Sequence, residues 1–167
     1  VTHSLQQPNQ NIGVTGGTLT GFSGSGTGYS AIFTADGDGY KTIEIYTSAY
    51  SDAAGNVSLA TGLFEFTYDG TFPTLDVSSM NSRIIDGMTD LGTVTADEDV
   101  TWSISGAGVS ISSTGTYSST ATVTLDTPAD HLVTESHTFT ITASDSAGND
   151  KNATVVVQVG DVTAPSI

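Results

Sequence analysis

A six-residue phrase, Ser51-Asp52-Ala53-Ala54-Gly55-Asn56, returns as Ser144-Asp145-Ser146-Ala147-Gly148-Asn149. The punctuation after the two copies matches as well. Asp69-Gly70-Thr71-Phe72-Pro73 follows the first copy, and Asp161-Val162-Thr163-Ala164-Pro165 follows the second. Asp52 precedes Asp69 by 17 residues, Asp145 precedes Asp161 by 16, and each later Asp stands 4 before its Pro. The repeat is thus about 92 residues long, the size of one small β-sandwich. For a chain of 167 residues this selects two small modules over one large domain.

Period-two alternation runs through both modules. Val100, Trp102 and Ile104 share one face of a strand, with Thr101 and Ser103 on the other. Ala121, Val123 and Leu125 repeat the pattern, as do Phe139, Ile141 and Ala143, and then Val155, Val157 and Val159. In the first module Phe64, Phe66 and Tyr68 form one such face, and Ile43 and Ile45 another. Large groups inside and hydroxyl residues outside mark antiparallel sheets solvated on one face. No stretch carries a helical stripe, so the expectation is an all-β chain. Strand-like runs in the first module fall near Gln10 to Phe22, Tyr29 to Thr34, Tyr40 to Tyr46, Val57 to Leu59 and Leu63 to Tyr68. Trp102 is expected in the core of the second sandwich.

Composition excludes several classes of function. The net charge of −15 arises from 18 acids against 3 bases. Neither a nucleic-acid backbone nor an anionic membrane is a suitable partner for such a surface, since both are bound through Lys and Arg. No apolar run approaches the length of a bilayer span, so membrane insertion is not expected. No charged-then-apolar leader follows Val1, so any signal peptide is expected outside this sequence. Cysteine is absent, and a small extracellular module without disulfides commonly takes a metal as its staple.

The boundary between modules is expected near Asp69 to Pro73, where Pro removes a donor and stiffens the chain. The expected organisation is residues 1–70 as a first, partial sandwich, 71–160 as a second, complete one, and 161–167 as the start of a further linker or module.

The residues from Gly16-Gly17-Thr18-Leu19-Thr20-Gly21-Phe22-Ser23-Gly24 through Tyr29 to Phe33, Asp36-Gly37 and Ser51 to Asn56 resemble bacterial Ig-like domains of very long surface proteins. The second module is similar to bacterial cadherin-like repeats. Its matching stretches are Leu91-Gly92-Thr93-Val94-Thr95-Ala96-Asp97-Glu98-Asp99-Val100-Thr101-Trp102 and Phe139 to Asn149. The resemblance implies two tandem Ig-like Greek-key β-sandwiches, the first incomplete at its N-terminus. It also implies an adhesin, surface-layer or phage-fibre setting, and therefore a place outside the cell, on a cell or virion surface.

In such a sandwich the B–C and F–G loops lie at one end and the E–F loop at the other. On that reading Asp97-Glu98-Asp99 is a B–C turn and Asp145 to Asn149 an F–G turn, both facing the linker at Asp69. Asp36 and Asp38 form the E–F turn of the first module and approach the same junction. The expected ligands are Asp36, Asp38, Asp69, Asp97, Asp99 and Asp145, and the expected ion is Ca2+. Converging carboxylates repel unless a cation lies between them, and calcium takes six to eight oxygen ligands with flexible geometry. Zinc is disfavoured, since there is no Cys and His3, His131 and His137 lack ligand spacing. The alternative for every one of these Asp residues is a turn former or a solubilising surface charge.

Other constellations are weaker. Gly24, Gly26 and Gly28 do not sit between a strand and a helix, so they are not a phosphate loop. Nothing resembles a nucleophile elbow. A glycosidase carboxylate pair is compatible with the composition, yet every acidic cluster falls on a turn of a repeated unit. Asn56-Val57-Ser58 and Asn152-Ala153-Thr154 are sequons. The expected function is a non-catalytic spacer in a long surface or fibre protein, rigidified by calcium, with neighbouring Ig-like modules as partners. The alternative is a carbohydrate- or cell-surface-binding Ig-like module of a phage tail fibre or secreted enzyme, with cell-surface glycans as partners, for which Tyr29, Tyr40, Tyr50 and Tyr117 are the available aromatics. Their spacing is that of strand positions, not of a shared platform.

Overall fold

The computed structural model describes residues 4–5, 11–25, 28–60, 62–130 and 135–160. All regular structure among them is β-strand. The chain divides into two compact units, Val1–Gly70 and Thr71–Ile167. Residues 161–167, expected to open a further module, lie outside the described residues, as do His3 and His131.

The first unit is built from short strands in three sheets. β1 (Ser4–Leu5) pairs with β6 (Tyr50–Ser51). β2 (Ile12–Thr15), β5 (Gly39–Ile45) and β7 (Phe64–Tyr68) form an antiparallel sheet with β5 in the centre. β3 (Gly17–Ser25) and β4 (Gly28–Ala35) form a separate antiparallel pair. The run expected from Gln10 to Phe22 is therefore two strands in two sheets. The switch is Gly16, whose φ of +76° suits a residue without a side chain. A Cβ there would lie 2.5 Å from Lys41 Cδ. Val57 to Leu59 is not a strand, and only an isolated bridge from Val57 to Ser51 remains of it. Its Val57 and Leu59 are exposed, so that run has no apolar face to bury.

The expected aromatic face of β7 is only partly covered. Phe66 packs edge-on against Phe33 with ring centroids 5.3 Å apart, whereas Phe64 is 61% exposed. β7 is an edge strand, so its ends gain no neighbour on the outer side.

The second unit is a more complete sandwich. Its strands are β8 (Leu75–Asp76), β9 (Arg83–Ile84), β10 (Asp90–Ser105), β11 (Val109–Ile111), β12 (Ser118–Leu125), β13 (Glu135–Ser144) and β14 (Asp150–Val159). β10 serves both layers. Its first half pairs with β12 and β8, and its second half, from Thr101 to Ser105, pairs with β13. The crossing is a register shift between Thr95 and Val100, a bulge that bends the strand from one sheet into the other. Asp97-Glu98-Asp99 sits in this bend. The expected B–C turn is therefore a bulged continuous strand, because apolar inward positions resume immediately at Val100 and Trp102.

Trp102 is 1% exposed, and Val94, Val100, Val123, Ile141 and Val157 are fully buried around the same core. Each such side chain contributes about 1.5–3 kcal/mol by leaving water. The indole Nε1–H of Trp102 donates to the Ser118 carbonyl at 2.9 Å, which removes the penalty of burying that donor. On the outer face Thr140 and Thr154 pair their hydroxyls at 3.3 Å, as the alternation requires.

Candidate functional site

The two copies of the acidic phrase make the same turn. Asp52 Oδ1 accepts the amides of Ala54 and Asn56, each at 2.9 Å. The Asn56 side-chain amide donates to Asp52 Oδ2 at 2.9 Å. In the second unit Asp145 Oδ1 accepts from Ala147 and Asn149 at 2.8 Å, and Asn149 Nδ2 donates to Asp145 Oδ2 at 2.8 Å. The backbones close alike, with Gly55 donating to the Asp52 carbonyl and Gly148 to that of Asp145. Gly55 and Gly148 adopt φ of +87° and +92°, a region that favours Gly. The phrase thus encodes a side-chain-braced turn in which Asp accepts, Asn donates and Gly reverses the chain.

Burial separates the copies. Asp145 is only 3% exposed. The hydrogen bonds from the Asn149 side chain and then from the turn's backbone amides hold its carboxyl below the usual carboxylate range, against the opposing effect of burial. Asn149 also donates to the Thr71 carbonyl at 3.2 Å, so this turn ties the start of its own unit.

The connector is held from each side by an acid of the corresponding unit. Asp38 Oδ1 accepts the Gly70 amide at 2.7 Å. Asp97 Oδ1 accepts the Thr74 amide at 2.8 Å, and that bond, together with Thr74's further contact, lowers the Asp97 pKa. Pro73, between these points, is fully buried. Asp36 lies on the β4–β5 turn beside Asp38 and pairs with Lys41 at 2.8 Å. The Lys41 hydrogen bond holds the Asp36 carboxyl below its ordinary value. Lys41 itself is 2% exposed, with the Asp38 carbonyl as a longer partner at 3.4 Å.

Of the six expected ligands, Asp36 and Asp38 share one turn, Asp97 and Asp99 share the bend of β10, and Asp145 lies on the β13–β14 turn. Asp69 directly precedes the clamped Gly70. Among the described residues, no group of three or more His, Asp or Glu stands ready to hold a metal ion. Each candidate is a carboxylate, an oxygen donor of the kind calcium takes, and Asp36, Asp38, Asp97 and Asp145 each already accept a hydrogen bond.

Sequence reasoning missed Lys41, and it read Asn56 and Asn149 as turn formers without the side-chain bonds they make to Asp52 and Asp145. Lys41 had a signal, being the sole Lys or Arg among residues 1–70. The aromatic expectation also changes. Tyr29 and Tyr50 line one apolar cavity in the first unit, whereas Tyr40 bonds Glu65 on the surface.

The family model described as Bacterial Ig-like domain matches residues 5–68. The crystal structure of the protocadherin gammaB4 extracellular domain is similar with a TM-score of 0.42 and 17% identity. That similarity covers 96% of this chain and 26% of the protocadherin chain, so the present sequence spans about a quarter of it. No curated protein matches the chain. Among the described residues, no helix is long and apolar enough to cross a membrane. Over residues 5–68, which lie within the first unit, the chain matches the model of the bacterial Ig-like domain family.

Proposed function

We propose that this chain is a pair of non-catalytic structural modules, spacers within a long extracellular surface or fibre protein that supports adhesion. The observation that carries this reading is the identical use of the repeated acidic phrase in both units. Asp52 and Asp145 each hold three N–H groups of their own turn. Carboxylates committed in this way serve architecture, not proton transfer to a substrate. On this reading the partners are neighbouring Ig-like modules of the same or an adjacent chain, and the setting is a cell or virion surface.

Calcium at the junction is the finer part of the proposal. Its support is the oxygen-rich chemistry of Asp36, Asp38, Asp69, Asp97, Asp99 and Asp145, which would supply the carboxylate ligands. Two of these, Asp38 and Asp97, already hold the connector at Gly70 and Thr74. The bound cation would offset like-charge repulsion and stiffen the connector. For an extracellular module the dissociation constant would be on the order of 0.1–1 mM. Small-angle scattering and thermal melting of the whole chain, with calcium and with chelator, test this part. The expected result is a larger maximum dimension and a higher melting temperature with calcium. Identical profiles in both conditions remove calcium from the account and leave the spacer reading to be tested by mechanics.

A further inference from the structure

The two units differ sharply in how well they cover their apolar residues. Among the described residues, the only buried apolar side chain of the first unit is Ala49, while the second unit has a full core. Ile12, Leu19, Phe22, Tyr29, Ile45 and Tyr50 instead line an open cavity of about 290 Å³. It lies between the β3–β4 pair and the strands β2, β5 and β6 that face it. No charged side chain lines it.

Among the described residues, β3 and β4 pair only with each other. A two-stranded ribbon is marginal alone, and its outer edges present N–H and C=O groups that template another strand. Tyr29 on β4 lines the cavity at 40% exposure, with Ala31 on the same face of the strand. An apolar groove beside an open strand edge suits an extended polypeptide better than a compact small molecule. Such a segment satisfies the edge with its main chain and the groove with alternate side chains.

Charge narrows the occupant. Residues 1–70 carry six carboxylates, and their single Lys or Arg is Lys41, which is buried. Among the described residues, the surface of this unit therefore presents carboxylates without an exposed Lys or Arg. A second copy, with its own net charge of −15, is repelled, whereas a segment with basic ends is drawn in.

We propose that the groove of the first unit is a strand-acceptor site for an extended segment of another polypeptide, apolar at alternate positions and flanked by Lys or Arg. This inference stands apart from calcium and from the spacer reading.

The probe is a short synthetic peptide with Val at alternate positions, Thr between them and Lys at both ends, titrated into the full chain. Fluorescence anisotropy reads binding, and amide hydrogen exchange reads protection on β4. The expected result is saturable one-to-one binding with slowed exchange on the β4 amides. Replacing the Val residues by Ser should weaken binding at least tenfold, and exchanging Lys for Glu should weaken it at low salt. Ala31→Trp, which fills the groove, should also weaken binding tenfold, with circular dichroism checking the fold. The Ser-substituted peptide tests the groove even if that variant does not fold. Absence of binding, or equal binding of the Ser-substituted peptide, overturns the proposal. So does concentration-dependent self-association that excludes the peptide, or uptake of a small apolar dye without any peptide binding.

Discussion

Asn149 grips the Asp145 carboxylate twice, its backbone N–H reaching Oδ1 and its side-chain amide reaching Oδ2, both at 2.8 Å. Asn56 grips Asp52 in the same way at 2.9 Å. The difference between the copies lies in burial, and it sets an order of sensitivity. Asp145→Ala should lower the melting temperature of the second unit clearly more than Asp52→Ala lowers that of the first. The reason is that the Ala147 and Asn149 amides then lose a buried acceptor through part-buried bonds, whereas the Ala54 and Asn56 amides lose theirs in the open. Scanning calorimetry of the two variants checks this; equal shifts would show that the burial of Asp145 is without consequence.

Trp102 fills the centre of the second sandwich and bonds Ser118. Trp102→Ala should cost roughly 3–5 kcal/mol through lost burial and the cavity left behind. Trp102→Phe should cost less, retaining most of the bulk but leaving the Ser118 carbonyl without its indole donor. Urea denaturation measures both, and a loss under about 1 kcal/mol for the Ala variant is incompatible with a core position.

The strand alternation that places Trp102 inside was readable from the sequence, because burial on one face leaves a period of two. The tandem turns were readable as turns for a similar local reason: Asp, Gly and Asn each carry their own turn chemistry. What local pattern does not reveal is where the chain changes sheets. Gly16 splits one apparent strand into β2 and β3, and Ala96 to Asp99 continue β10 through a bulge instead of ending it. Both outcomes depend on partners distant in sequence, Lys41 packing over Gly16 and Ser118 pairing with Val100. The partners of the acids were hidden for the same reason. Asp38 and Asp97 meet backbone amides 32 and 23 residues away.

Lys41 and Asp36 form an asymmetric pair, one buried and the other with a side chain 66% exposed. Asp36→Asn should destabilise the first unit, because it replaces the carboxylate with a neutral amide and leaves the buried Lys41 ammonium without its counter-charge. Lys41→Met should be neutral or stabilising, since it removes the buried charge and returns Asp36 to water. Acid should act in the same direction as Asp36→Asn. Asp36, Asp97 and Asp145 all have carboxyls held below the reference value of 3.8. Groups with depressed folded pKa values stabilise the fold above the unfolded pKa and lose that stabilisation as pH falls through the folded pKa. Stability from these three should therefore be level from neutral pH to about 5 and fall below about 4. Melting curves across that range check the sign; a decline beginning near pH 6 would implicate other groups.

If the proposed spacer role holds, the two compact units unfold one at a time under force, and single-molecule stretching from the two chain ends reads this. Two unfolding steps are expected. The weaker comes from the thinly covered unit Val1–Gly70, with a contour gain of about 25 nm, and the stronger from Thr71–Ile167, with about 35 nm. Trp102→Ala should weaken only the second step. A single step of about 60 nm, or smooth extension without steps, would contradict it.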